Sequence, residues 1–158
     1  MSSWEEDRID ELWDEIHYLD RKMDDLEEEN SWLIKTNSKL NKRKKEYINM
    51  NREIDSAVKE LKLCGSKIDK SYEQYKKGYT SETAQKKNKT FSQSKEETTN
   101  VIKDLIKVKE DSLRDIKKIE NDKKKNNDII ASNKREIQRS REQRQWKRDE
   151  IYELESML

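Results

Sequence analysis

The chain has 158 residues, 45% of them charged and 30% hydrophobic, with two Gly, no Pro and a formal net charge of +1. Globular domains carry about a quarter charged and nearly half apolar residues, so a spherical core is excluded while a narrow apolar stripe is not. Disorder, common in charged and aromatic-poor chains, is opposed by apolar residues that keep strict phase.

The N-terminus, Met-Ser-Ser-Trp-Glu-Glu-Asp, lacks the basic and apolar regions of a secretory signal. No apolar run approaches the ~20 residues needed to span a bilayer, so no membrane insertion is expected. The expected location is the cytoplasm, with export beside a partner by a non-classical route left open. Ser2 and Ser3 each precede a glutamate by three residues, Glu5 and Glu6, a capping-box pattern that starts a helix near residue 3.

The first predicted helix covers about residues 3–77. Counting in sevens from Leu12 reaches Leu19, Leu26, Leu33, Leu40, Tyr47, Ile54 and Leu61; counting from Ile9 reaches Ile16, Met23, Asn30, Asn37, Lys44, Asn51 and Val58. These rows are the d and a positions of a coiled coil. The frame continues through Ile68, Tyr72, Tyr75 and Tyr79, so Gly65 is expected inside a continuous helix rather than at a turn. A polar loop is predicted over about 78–93, where Gly78 follows basic residues. Ser94-Lys95-Glu96-Glu97 then offers a second capping box, starting helix 2 over about 94–158.

Helix 2 carries a thinner stripe. Ile102, Ile116, Ile130, Ile137, Ile151 and Leu158 share one row with Lys109, Lys123 and Arg144. Leu105, Ile119 and Leu154 share the other with Ser112, Asn126, Asn133, Ser140 and Lys147. Polar residues at core positions trade stability for register, and those of the two helices can face each other. Residues 1–30 hold thirteen Asp/Glu against three Lys/Arg, and residues 117–148 hold twelve Lys/Arg against five Asp/Glu. Antiparallel pairing brings these segments together. The expected fold is therefore all-α, a long antiparallel two-helix coiled-coil hairpin; an antiparallel homo-oligomer satisfies the same charges.

Chemistry-bearing residues are sparse. His17, the single histidine, falls at b, on the solvated side. Cys64, the single cysteine, falls at g as a small semi-buried thiol and excludes an intrachain disulfide. There is no glycine-rich phosphate loop and no metal-ligand spacing, so no enzyme and no cofactor are expected. Lys42-Arg43-Lys44-Lys45 and Lys123-Lys124-Lys125 spread around their helices, and no nucleic-acid partner is expected. Trp4, Tyr18 and Trp32 all lie at c, away from the seam, and Trp146 lies at c of helix 2. Aromatics off the seam mark partner surfaces, so Trp4, Trp13, Tyr18 and Trp32 are the candidate partner-binding residues. Trp13, Ile34 and Ile48, at e, also widen the apolar face of helix 1.

A helical hairpin with spare apolar surface resembles the small WXG-type proteins of type VII secretion and the charge-rich helical proteins that accompany LXG-domain toxins. Leu63-Cys64-Gly65-Ser66-Lys67-Ile68-Asp69-Lys70-Ser71-Tyr72 stands near that family's Trp-x-Gly turn, with Leu63 in the place of Trp. The resemblance implies a turn near Gly65. It also implies an adaptor or chaperone that binds the helical N-terminal domain of a secreted LXG-type toxin. A self-assembling structural rod and an export-apparatus stalk are the alternatives.

Overall fold

The computed structural model describes residues 3–78 and 81–158, the side chains of Ser81 and Ala84 excepted. The described residues form an all-α hairpin of α1 (Trp4–Gly78) and α2 (Ser81–Met157), packed against each other. The Ser3 amide donates to Glu6 Oε2 at 2.9 Å and the Glu6 amide to Ser3 Oγ at 3.2 Å, so the expected capping box opens α1. The alternative box at Ser2 and the core position Tyr79 lie outside the described residues.

α1 passes through Gly65 without interruption. The turn that the resemblance implies is therefore absent: residues 63–72 are helix interior, because the apolar rows hold their phase on both sides of the glycine. The predicted loop over 78–93 is also corrected. α1 ends at Gly78 as expected, but α2 begins at Ser81 rather than 94. Residues 82–93 contain neither Gly nor Pro, and Phe91 anchors them, its ring 5.3 Å from that of Tyr72 and 6.2 Å from that of Tyr75. Ser94 is mid-helix, where its carbonyl accepts from the Thr98 hydroxyl at 2.9 Å.

The helices pair antiparallel with a constant register. Facing residue numbers total 163: 30 with 133, 37 with 126 and 72 with 91. Each row of α1 from Ile9 to Tyr75 is buried or half-buried along its length, as knobs against a facing helix must be. Leu158, by contrast, is exposed.

The hairpin comprises two units, Met1–Leu40 with Glu120–Leu158 (unit 1) and Asn41–Ile119 (unit 2). Unit 1 buries Leu12, Ile16, Leu19, Met23 and Leu33 against Ile130, Ile137, Ile151 and Leu154, with Ile9 packed at one end of this core. Leu26 and Leu40 are half-buried. Each fully buried aliphatic side chain contributes about 1.5–3 kcal/mol. The polar layers expected to meet do so: Asn133 Nδ2 donates to Asn30 Oδ1 at 2.9 Å, and Asn126 Nδ2 to Asn37 Oδ1 at 2.9 Å.

In unit 2 the buried apolar residues are Ile54 and Ile119, alongside Asn51 and Ser112. Tyr47, Val58, Leu61, Ile102, Leu105 and Ile116 are half-buried. Asp55 pairs with Lys109 at 2.6 Å and Asp69 with Lys95 at 3.0 Å.

Candidate protein-binding surface

A two-helix seam covers a and d and leaves its two flanks open to different surroundings. With the Ile102 row as a and the Leu105 row as d of α2, the interhelical ion pairs sort these flanks. Arg8–Glu150 (3.3 Å), Lys22–Glu136 and Glu15–Lys147 (2.7 Å) join g of α1 to g or d of α2. Asp20–Arg144 (2.8 Å) and Glu27–Arg141 (3.5 Å) join e of α1 to a or e of α2. Three of these five pairs set an acid of the first segment against a base of the second, the complementarity that selects antiparallel packing. Exposed pairs of this kind orient more than they stabilise.

The aromatic residues divide accordingly. Trp4, Tyr18 and Trp32 at c lie toward the g side and are 68%, 60% and 64% exposed. Two heptads, roughly 21 Å along the axis, separate each from the next. Tyr18 lines two shallow grooves of this side, one with Asp14, Glu15, Leu19, Gln143 and Lys147, the other with Arg21, Lys22, Asp25 and Leu26. Trp146, 70% exposed and at c of α2, is one residue from the level of Tyr18 in the register of 163 and lies toward the same flank. That residue was not among the four candidates. It is at c in its own helix, but only the pairing of the helices turns it to the flank that Tyr18 occupies.

Trp13 does not join them. At e it lies about 160° around α1 from the c row at 100° per residue, on the other flank. It is also the least exposed of the four tryptophans, at 39%, with its ring centroid 6.2 Å from that of His17. Two further expectations are corrected. Ile34 is exposed rather than part of a widened core, whereas Ile48, at the same heptad position, is half-buried. Cys64 is exposed rather than semi-buried. His17 is exposed, as its b position predicts.

Charge frames the g-side grooves. The hydrogen bond from Lys147 holds the Glu15 carboxyl below the ordinary carboxylate range, and Lys22 does the same for Glu136. In return Glu136 raises the Lys22 ammonium, while Glu11 and then Glu150 raise the Arg8 guanidinium. The surface thus combines exposed rings, the apolar edges of Leu19 and Leu26, and fixed ion pairs. Such a combination suits an amphipathic helix with polar margins. Among the described residues no three His, Cys, Asp or Glu side chains gather as a metal site, and no helix is long and apolar enough to cross a membrane. No family model matches this chain, and no curated protein or solved structure matches it either.

Proposed function

We propose that this protein is a non-enzymatic helical adaptor or chaperone that docks an amphipathic helix of a partner protein on the g side of unit 1. The observation that carries this reading is Tyr18, exposed between two grooves, with Trp146 one residue from its level and Trp4 and Trp32 spaced along the same flank. Aromatic side chains of this kind dominate interface energetics. The partner proposed is the helical N-terminal domain of an LXG-type toxin, delivered to type VII secretion. Support for that partner class is the general resemblance, with no Trp-x-Gly turn behind it.

The test is co-expression with such a domain, followed by affinity measurement on single variants. Tyr18→Ala and Trp146→Ala each weaken capture by roughly tenfold or more, the loss expected of an interface anchor costing over 1 kcal/mol. Trp13→Ala, on the opposite flank, leaves it unchanged. Equal binding by all three variants rules out the g side; failure of the wild type to capture the domain rules out the toxin partner.

A further inference from the structure

The g flank of unit 1 carries exposed apolar side chains on both helices, and they recur together. In the register of 163, Met157 of α2 falls two residues from the level of Trp4, Trp146 one from that of Tyr18 and Ile129 two from that of Trp32. Met157 and Ile129 are at g and, like the four rings, are exposed. The flank therefore bears three apolar stations, two heptads apart along α1, each supplied by one side chain from either helix.

Charge between the stations is uneven. At c, d and g from Trp4 to Trp32, and over the facing stretch of α2, seven acids stand against four bases. Every one of those bases already holds an acid of the same flank. Arg8 holds Glu11 at 2.8 Å and Glu150 at 3.3 Å, and Lys147 holds Glu15 at 2.7 Å. Lys22 and Arg139 share Glu136. Among the described residues, Asp25, Glu29 and Glu153 have no base within 4 Å, and all three are exposed. At f, on the outer edges of the two grooves, Asp14 and Arg21 add one charge of each sign.

We propose that the helix docked on this flank carries apolar anchors fourteen residues apart, with bases rather than acids beside them. The inference rests on the adaptor reading and names the chemistry of its partner. Fourteen residues make four turns of a supercoiled helix, so anchors at that spacing stay on one side and meet all three stations. A base beside the anchors meets Asp25, Glu29 or Glu153. An acid there meets the same carboxylates, with each base at c, d and g already engaged, and like charges across an interface reject a partner.

Three synthetic helical peptides of about thirty-five residues, titrated against the full chain by fluorescence anisotropy, test it. The first has Phe anchors fourteen residues apart, bordered by Lys in an Ala-rich helix. The second replaces each Lys by Glu. The third keeps the Lys and moves the anchors to a spacing of eleven, which leaves them on about the same face. The first is expected to bind roughly tenfold or more tightly than either of the others, and its lead over the Glu peptide shrinks as salt screens the charges. In Asp25→Asn/Glu29→Gln/Glu153→Gln that lead falls severalfold, while the lead over the eleven-spaced peptide is kept; circular dichroism checks that helicity is unaltered. Failure of the first peptide to bind overturns the inference, as does equal binding of the Glu peptide or of the eleven-spaced one. A triple variant that keeps the full lead over the Glu peptide overturns it too. If the toxin domain is captured through Tyr18 and Trp146 while the peptides do not differ, the docking flank stands and this chemistry falls alone. If the peptides rank as expected and the domain is not captured, the chemistry stands and the toxin partner falls.

Discussion

The seam contains polar residues that behave in opposite ways. Asn30 is buried and accepts from Asn133, while its own Nδ2 reaches the Ile130 carbonyl at 3.5 Å. Ser140 is only 1% exposed, yet its Oγ has no hydrogen-bond partner. A buried polar atom without a partner carries its desolvation cost uncompensated. Asn30→Ala therefore lowers stability by about 1–3 kcal/mol, because it strands the Asn133 amide and opens space in the seam. Ser140→Ala leaves stability unchanged or raises it. Urea unfolding of the two variants checks the contrast in sign, and a destabilised Ser140→Ala would mean that its hydroxyl is satisfied in solution. The Asn rows were legible beforehand as polar core positions. That Ser140 goes unpaired was not, since the residue facing it at a register of 163 is the apolar Met23.

Between the helices, orientation rests on charge and so depends on pH. Glu15 and Glu136 have folded-state pKa values below their ordinary value of 4.5. A depressed carboxyl contributes stability that is complete above the ordinary value and is lost as pH falls through the folded one. Lys22, raised above 10.5, works the other way: its share is complete below that value and is lost as pH rises through the raised one. The thermal midpoint should therefore decline as pH drops below about 4.5, and less steeply in Lys147→Met, which removes the hydrogen-bond partner of Glu15 while leaving Arg8 3.9 Å away and the Glu136–Lys22 pair intact. An acid limb unaltered by that substitution would show that the pair does not couple to folding. At this scale the sequence was a good guide to rows and a poor guide to ends. Heptad phase marks a seam wherever it persists. By contrast, the polar composition of 82–93 resembles a loop unless Phe91 has tyrosines to pack on, and those come from the other helix.

For the whole molecule, a net charge of +1 conceals a separation. Residues 1–40 and 120–158 hold fifteen Lys/Arg against twenty-two Asp/Glu, or −7; residues 41–119 hold twenty-one against thirteen, or +8. Apolar burial is separated as well. Unit 1 has nine buried aliphatic or Met side chains, from Leu12 to Leu154, and unit 2 has Ile54 and Ile119. Local opening follows buried apolar contact, so amide exchange is expected to be slowest within 12–33 and 130–154 and faster across unit 2. Equal protection in both units would show that half-buried seam residues hold unit 2 as firmly as the buried core holds unit 1.

The sequence alone determined that there are two helices, which rows meet and that they meet antiparallel. Each of these follows from period and charge, which are properties of order along a chain. It also made the aromatic residues visible as residues without a place in the seam. The tertiary structure decided which of them share a surface. A c position and an e position on one helix lie on opposite flanks, whereas c positions on two helices come to one flank only after pairing. For that reason Trp146 joined Tyr18 and Trp13 did not.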